Sequence, residues 1–330
     1  IQFADFRGDS LKLSQLASQQ RDAKYIVFCG VHFMAESADI LSSAEQIVCL
    51  PNLRAGCAMA ELADENDVSV ALEELTAMAG EGETVLPIAY VNSSAAIKAL
   101  TGRAGGACCT SSNVRHVFEW ALKSGLATKF LAVPDQHLAR NTAVAMGYAE
   151  SDCEIYDPRL PNGGLNADRV KAAKFILWEG YCYVHQVFRP DHVQAVRASD
   201  PNMKVIVHPE CPREVVALAD AAGSTSQIIQ AITDAPAGSK WAIGTEANLV
   251  HRLAKENPDK IIRLLGEDVS ATCVQMGRID LPHLLWCLDA IANRTPVNVV
   301  RVSPEIVADA KRALQRMIDI KAVTTLTTKE

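Results

Sequence analysis

The feature that most constrains this chain is an order of parts that occurs three times along it. Each time, a hydroxyl-rich turn stands before an apolar-periodic helix, and a short strand follows that ends in a second polar loop. The spacing from hydroxyl to polar loop is 26, 26 and 22 residues, measured over Ser10–Glu36, Ser111–His137 and Ser224–Glu246. Repetition of one α/β unit at this scale predicts three similar units that pack around a common axis.

A cysteine closes each copy of the repeat. The distance from hydroxyl to cysteine is 47, 71 and 48 residues, measured over Ser10–Cys57, Ser111–Cys182 and Thr225–Cys273. The surplus in the second copy matches a segment rich in proline and glycine at about residues 150–168, which predicts an inserted loop. We therefore expect the three units to direct one cysteine each toward a shared centre.

The third copy shows how such a unit would fold. The β-branched run in residues 204–207 is typical of a buried parallel strand, and apolar residues at helical spacing predict a helix over residues 213–222. We predict an α/β fold of three similar α/β/α sandwich domains in a pseudo-threefold arrangement around a central cluster. The expected limits are 1–84, 85–183 and 184–272, followed by a helical segment, 273–330, that packs back on the first unit.

The residue types in the repeat suit anion binding and acid–base chemistry. A small hydroxyl residue before a helix is a good N-cap, and the helix N-terminus offers free N–H groups and a positive dipole end to an anion. His208 and Glu210 follow the strand of the third unit, where an open α/β sheet presents its functional groups. A Glu–His pair can supply a base and a proton donor.

Three converging cysteines are compatible with two kinds of metal site, a 4Fe-4S cluster or a zinc ion. A 4Fe-4S cluster held by three thiolates keeps one iron free to act as a Lewis acid. Zinc with three cysteines would need a fourth ligand, for which His185, three residues after Cys182, is a candidate. Spacing alone favours neither site.

Composition excludes several classes of protein. The net charge of -7 argues against a nucleic-acid scaffold, which needs a basic face. No apolar run reaches the roughly 18 residues of a membrane span, and no signal peptide is visible. None of the ten cysteines forms a C-x-x-C pair, which argues against a zinc ribbon or a thioredoxin motif. These features predict a cytoplasmic protein.

Nine short motifs, in order from about residue 1 to residue 276, resemble those of the quinolinate synthase family. The motifs are GDS at Gly8–Ser10, GVHFMAE at Gly30–Glu36, AGC at Ala55–Cys57, YVNSSAAIKA at Tyr90–Ala99, CTSSN at Cys109–Asn113, GYCYVH at Gly180–His185, VHPEC at Val207–Cys211, GSTSQ at Gly223–Gln227 and GTE at Gly244–Glu246.

The resemblance implies three stacked α/β domains around a 4Fe-4S cluster. It also implies the condensation of iminoaspartate with dihydroxyacetone phosphate to quinolinate, with loss of phosphate and water, as a step of NAD biosynthesis. An iminoaspartate-producing oxidase or dehydrogenase would be the partner enzyme. The alternative is a non-catalytic iron–sulfur sensor or electron-transfer protein on the same scaffold, which gives no reason for the hydroxyl residues or for Glu210.

Matched position by position, the resemblance implies roles for eleven residues. The catalytic positions fall on Tyr90, His208 and Glu210. The substrate-binding positions fall on Ser10, Asn92, Ser111, Ser224 and Thr225. The cluster ligands fall on Cys57, Cys182 and Cys273, whereas Cys109 and Cys211 are not at ligand positions.

The chain departs from the family pattern in two places. Cys273–Met276 is followed by Gly277–Asp280, where the family has an asparagine-containing helix start. The family also carries a histidine and a tyrosine in the first strand of its first unit, which the repeat spacing places upstream of Ile1. We therefore expect the chain as it stands to assemble a cluster but to form little quinolinate.

Overall fold

The computed structural model describes residues 3–266, 268–320 and 327–328. Its strands are β1 (Tyr25–Val27), β2 (Ile47–Cys49), β3 (Val85–Tyr90), β4 (Ala107–Cys109), β5 (Lys129–Val133), β6 (Cys153–Tyr156), β7 (Phe175–Trp178), β8 (Lys204–Val207), β9 (Ala221–Ala222), β10 (Lys240–Gly244), β11 (Ile261–Leu264), β12 (Val299–Val300) and β13 (Thr327–Thr328).

The helices surround these strands. They are α1 (Ser10–Gln19), α2 (His32–Leu41), α3 (Glu65–Ala79), α4 (Ala95–Arg103), α5 (Val114–Lys123), α6 (Gln136–Ala145), α7 (Ala167–Ala172), α8 (Tyr183–Gln186), α9 (Pro190–Ser199), α10 (Arg213–Leu218), α11 (Thr225–Asp234), α12 (Ala247–Glu256), α13 (Leu281–Ala292) and α14 (Pro304–Asp319). Among the helices so described, none combines the length and apolar character needed to cross a bilayer.

The second sheet of the chain is a parallel sheet with the strand order β4-β3-β5-β7-β6. Every residue of β3, β5 and β7 is buried, as expected where helices cover both faces of a sheet. The rings of Phe118, Phe130 and Phe175 meet with centroids 4.8 to 5.3 Å apart. Each buried phenylalanine stabilises the fold by about 1.5–3 kcal/mol, so these rings hold α5 firmly on the sheet.

The third sheet has the order β11-β10-β8-β9-β13, parallel except for β13, which pairs antiparallel with β9. Successive residues of β8 face opposite sides, as the pleat requires. Val205 and Val207 pack with α9 and α10 on one face, and Ile206 packs with α11 and α12 on the other. Helices on both faces of a mainly parallel sheet confirm the predicted α/β class.

The first sheet is smaller, with the order β1-β2-β12. Strands β1 and β2 are parallel, and β12 joins β2 antiparallel from the far end of the chain. Its core contains Phe28, Val48 and Leu50, which pack against residues of α1 and α2. Three sheets thus follow one another along the chain.

The C-terminal segment divides its contacts between two sheets. Strand β12 extends the first sheet, whereas α14 lies along α4 and β4 of the second. Gly102 permits this close crossing, because a Cβ at that position would lie 1.9 Å from the carbonyl oxygen of Asp309. The sequence predicts that this segment packs back on the first unit; in the structure β12 pairs with β2 of the first sheet, and α14 docks on α4 and β4 of the second.

Two local predictions differ from the structure. The segment 150–168, predicted as an inserted loop, contains β6, which pairs with β7 at the edge of the second sheet. Residues 213–222, predicted as one helix, contain α10 and then β9. Alanine has no strand preference, so Ala221 and Ala222 are extended because they pair with β8.

Candidate functional site

The site begins where β3 and β8 end. Tyr90 is the last residue of β3, and His208 and Glu210 follow β8 directly. The His208 N–H donates to the carbonyl of Gly244 at 3.0 Å, which continues the sheet ladder up to the site. All three side chains are buried, and the Tyr90 hydroxyl donates to Glu210 Oε1 at 2.5 Å. The three predicted catalytic residues therefore lie together, at a junction of the second and third sheets.

A histidine from α8 holds the other oxygen of the same carboxylate. His185 Nδ1 lies 3.0 Å from Glu210 Oε2, and His185 Nε2 lies 3.2 Å from Thr245 Oγ1. The His185 ring stacks on that of His208, with centroids 4.5 Å apart and planes inclined by 16°. We call Tyr90, His185, His208, Glu210 and Thr245 the buried network.

Burial and mutual contact set the charges of this network. Burial lowers the pKa of the His208 imidazole to about 3, although the neighbouring Glu210 opposes the shift. Burial by itself raises the pKa of the Glu210 carboxyl, but His208, His185 and the hydrogen bond from Tyr90 outweigh it and bring the pKa below its usual range. Burial, followed by the Glu210 charge, raises the pKa of the Tyr90 phenol well above its usual value. At neutral pH the network contains a carboxylate, a neutral His208 and a phenol.

The hydroxyl turns of the three units meet at a carboxylate. Asp9 Oδ2 accepts a hydrogen bond from Ser112 Oγ at 2.9 Å and a second from Ser226 Oγ. Asp9 also lies close enough to His208 for its charge to raise the pKa of that imidazole slightly against burial. We call Asp9, Ser112 and Ser226 the serine–aspartate contact, and it lies at the half-exposed side of the site.

The prediction that a hydroxyl residue caps each of these helices is wrong for two of the three. Asp9 caps α1 by accepting from the Lys12 N–H at 3.0 Å, since a carboxylate is a strong N-cap and is favoured by the helix dipole. Asn113 stands at the N-cap of α5, and its side-chain oxygen Oδ1 accepts a hydrogen bond from the Thr110 N–H at 2.8 Å instead of capping the helix. Only α11 begins as predicted, with Ser224 and Gln227 forming a capping box.

The predicted substrate-binding residues border these two groups. Ser111 lies close enough to the Tyr90 hydroxyl to oppose, in part, the raised pKa of that phenol. Ser224 is buried, whereas Ser10 and Thr225 are half-buried at the starts of their helices. Among the described residues, the buried Oδ1 atom of Asn92 has no hydrogen-bond partner. An unpaired buried acceptor is costly, so this oxygen is suited to a donor on a ligand.

The three predicted metal ligands lie beside the buried network. Cys57, Cys182 and Cys273 are half-buried free thiols. Burial raises the pKa of the Cys57 thiol to about 11, and the proximity of Glu210 and Cys273 adds to the shift. Burial, then Glu210 and more weakly Cys57, raises the pKa of the Cys182 thiol strongly. The three thiols are thus electrostatic neighbours, one from each sheet region.

The loop that carries Cys182 is fixed by its glycine. A Cβ on Gly180 would lie 2.1 Å from the carbonyl oxygen of Pro134, so only glycine allows this approach. The Gln136 N–H donates to the Gly180 carbonyl at 2.9 Å. These contacts join the loops after β5 and β7 and set the position of the cysteine.

A second group of possible metal ligands includes only one of these cysteines. Ligand atoms of Cys182, His185 and Glu210 all lie within 4.8 Å of one another, and the last two residues are buried. Cys109 and Cys211, which were not expected to be ligands, are completely enclosed in the cores of the second and third sheets.

Several residues that lie at this site have no catalytic or binding role predicted from the sequence. The GTE motif gives a signal for Thr245, because this residue directly follows Gly244, the last residue of β10, and so stands at a strand end. The sequence indicates His185 only as a candidate zinc ligand, because nothing local predicts its contact with a glutamate 25 residues away. Asp9, Ser112 and Ser226 each adjoin a predicted hydroxyl residue, and only the packing of the units distinguishes them.

Comparison with known proteins agrees with this arrangement. The family model described as quinolinate synthetase A protein matches residues 1–319. A quinolinate synthase of Streptomyces coelicolor is 53% identical over 321 residues, which cover 96% of this chain and 80% of the relative. One of Nocardioides sp. is 52% identical over 323 residues, covering 96% and 82%. One of Bacillus licheniformis is 50% identical over 321 residues, covering 97% and 85%.

Proposed function

The chain belongs to the quinolinate synthase family, and from this premise we propose that it condenses iminoaspartate with dihydroxyacetone phosphate. The products are quinolinate, phosphate and water, and the reaction is a step of NAD biosynthesis. The single observation that carries the proposal is the buried carboxylate of Glu210, held by Tyr90 and His185 beside three converging thiols. Ring formation with loss of water needs a positioned base and proton donors, and the buried network contains both.

Glu210 serves as the base in this proposal. Its depressed pKa keeps it ionised at neutral pH, and hydrogen bonds to both oxygens fix the direction in which it can accept a proton. The Tyr90 phenol, which stays protonated, donates its hydrogen bond to Glu210 Oε1 and so holds that carboxylate in position. The neutral His208 ring, stacked on His185, orients a substrate oxygen by a hydrogen bond from its N–H without adding a fixed positive charge. Burial excludes bulk water from all three groups.

Cys57, Cys182 and Cys273 fit a 4Fe-4S cluster as its three protein ligands. Their soft sulfur atoms are of the type that holds such clusters, and their mutual electrostatic influence supports one shared site. When bound, the cluster would supply an iron without a protein ligand, which acts as a Lewis acid on a substrate oxygen. Burial raises the pKa of the Cys57 and Cys182 thiols, and a bound cation would oppose this shift by favouring the thiolate forms.

The hydroxyl residues bind the anionic groups of the substrates. The N-terminus of α11, with Ser224 and Thr225, offers N–H and O–H donors to a phosphate or carboxylate, and Ser10 and Ser111 add donors from the other units. Asp9 supports this assignment, because its carboxylate accepts from Ser112 and Ser226 as a phosphate oxygen would. We therefore place the phosphate of dihydroxyacetone phosphate near the serine–aspartate contact, with Asn92 nearer the reacting atoms.

The three units contribute comparable parts to this site. Each supplies one cysteine and one hydroxyl turn, and the second and third also supply strand-end residues. This distribution supports the proposed pseudo-threefold arrangement around the cluster. A solitary unit would hold neither the cluster nor both substrates.

An anaerobic preparation tests the proposal. The chain is purified without oxygen, analysed for iron and acid-labile sulfide, and given dihydroxyacetone phosphate with an oxidase or dehydrogenase that generates iminoaspartate from aspartate. We expect iron and sulfide in the ratio of a 4Fe-4S cluster, with quinolinate formed only when both substrates are present and in the small amount expected from the sequence. A preparation with a full cluster and no detectable quinolinate, even at high protein concentration and after long incubation, would contradict the proposed activity. Quinolinate formation without iron would contradict the role of the cluster.

A further inference from the structure

Cys182, His185 and Glu210 present three different donor atoms to one point inside the protein. Their ligand atoms lie within 4.8 Å of one another, with His185 Nδ1 and Glu210 Oε2 separated by 3.0 Å. His185 and Glu210 are buried, and Cys182 is half-buried. A thiolate, an imidazole and a carboxylate together suit zinc, which accepts sulfur, nitrogen and oxygen ligands in one tetrahedral site.

The distances between these three ligand atoms would suit a zinc ion after a small movement of the side chains. Zinc bonds of about 2.0–2.3 Å in a tetrahedral site place neighbouring ligand atoms about 3.3–3.6 Å apart. The nitrogen and oxygen would have to separate by a few tenths of an ångström from their 3.0 Å contact. Cys182 stands at the N-cap of the short helix α8, and its sulfur would have to approach the other two ligand atoms by rotation about the Cα–Cβ bond.

Hydrogen-bond partners that would support two of these metal ligands are already in place. A histidine that binds a metal through one nitrogen usually donates its other N–H to an acceptor, and a carboxylate ligand is usually hydrogen-bonded as well. His185 Nε2 lies 3.2 Å from Thr245 Oγ1, and the free oxygen of Glu210 accepts from the Tyr90 hydroxyl at 2.5 Å. Zinc at Nδ1 would therefore need only a change of His185 tautomer, with Nε2–H donating to Thr245.

We propose that the cluster-free protein binds one Zn²⁺ through Cys182, His185 and Glu210, with water as the fourth ligand. This site differs from the three-cysteine site, because it uses neither Cys57 nor Cys273. Since both sites share Cys182, zinc and the cluster exclude each other, and zinc also occupies the oxygen of Glu210 that His185 otherwise holds. The exclusion rests on the proposed cluster, whereas the zinc site itself does not.

Zinc titration of the full chain, with its cluster removed by chelation, tests the site. A chromophoric chelator competes for Zn²⁺, so that affinity and stoichiometry are both measured. We expect one tightly bound Zn²⁺, with affinity lowered about a hundredfold or more in His185→Gln and Glu210→Gln, because even residues that only hydrogen-bond to a metal ligand contribute about 10–100-fold. Cys273→Ser, the matched control, keeps the affinity of the unchanged chain. Equal loss in Cys273→Ser and His185→Gln, or no tight binding at all, would overturn the proposal.

Cobalt in the unchanged chain gives a test that does not depend on the folding of any variant. Co²⁺ at the proposed site shows the charge-transfer absorption of one thiolate, whereas a three-cysteine site shows that of three. A three-thiolate spectrum would overturn the proposal.

Reconstitution with iron and sulfide then tests the exclusion separately. We expect zinc-loaded protein to take up no cluster until the zinc is removed. Cluster assembly with the zinc retained would refute the shared use of Cys182, and would do so even if the chain forms quinolinate normally.

Discussion

The two sides of the candidate site are built in different ways. In the buried network, both oxygens of Glu210 are held by side chains from other parts of the chain, Tyr90 and His185, and little of the group is exposed. In the serine–aspartate contact, the donors Ser112 and Ser226 are half-buried or exposed, and their partner is a carboxylate of the protein itself.

This difference indicates different tasks. A proton-transfer group must have a fixed direction and a controlled pKa, which burial and two hydrogen bonds give to Glu210. An anion site must exchange its contents at each turnover, so its donors must be accessible and its resting partner replaceable. The carboxylate of Asp9, at the N-cap of α1, meets that requirement, because an incoming anion can replace it as the acceptor of the serine hydrogen bonds. Changes to the buried network should therefore affect turnover, and changes to the contact should affect substrate binding.

The largest effect is expected at the metal ligands. Cys57→Ser removes one thiolate from the shared site, so protein purified without oxygen should lose most of its iron and labile sulfide and form no measurable quinolinate. Cys153→Ser is the matched control, because Cys153 lies in edge strand β6. It should keep a full cluster. A full complement of iron in Cys57→Ser would remove that residue from the ligand set.

A smaller but still large effect is expected at the base. Glu210→Gln keeps the size of the side chain and its hydrogen bonding but removes the carboxylate. Turnover should fall by about a hundredfold or more, with iron and sulfide unchanged. Steady-state kinetics on protein of equal iron content measure this. Turnover equal to that of the unchanged chain would exclude Glu210 as the base.

The hydroxyls of the serine–aspartate contact should act on binding. Ser226→Ala removes one hydrogen bond to a charged group, a loss of about 1.5 kcal/mol, so the KM for dihydroxyacetone phosphate should rise about tenfold. The exposed Ser151, in the turn before β6, provides the control Ser151→Ala, which should leave KM unchanged. An unaltered KM in Ser226→Ala would place the phosphate elsewhere.

The smallest effect is expected at Asp9. Asp9→Asn keeps the N-cap of α1 and a hydrogen-bond acceptor for Ser112 and Ser226, but it removes a negative charge that competes with the phosphate. The repulsion between two negative charges about 4 Å apart in water-like surroundings is about 1 kcal/mol. Without this repulsion, the KM for dihydroxyacetone phosphate should fall about fivefold. A raised KM would show that the charge assists binding.

Much of the fold could be predicted because the signals are local. Apolar strands followed by polar motifs indicate parallel sheets with functional groups at their ends, and Tyr90, His208 and Glu210 were found in this way and through the family motifs. Strand β9 could not be found, because Ala221 and Ala222 are extended only through pairing with β8.

The parts of the site that were missed depend on contacts between distant residues. The His185–Glu210 hydrogen bond and the meeting of Asp9 with Ser226, 217 residues apart, exist only after the units pack. The same holds for the docking of α14 on α4 at Gly102. A sequence pattern fixes the identity of a side chain and its place on an element, but not which distant side chain it meets.

The most direct test of the division between the two sides is the rate of quinolinate formation at saturating dihydroxyacetone phosphate. The rate is compared among the unchanged chain, Glu210→Gln and Ser226→Ala, all with equal cluster content. Ser226→Ala should recover the rate of the unchanged chain once the substrate saturates, because only binding was weakened. Glu210→Gln should stay about a hundredfold slower at every concentration. Recovery of Glu210→Gln at saturation, or a persistent deficit in Ser226→Ala, would contradict the account.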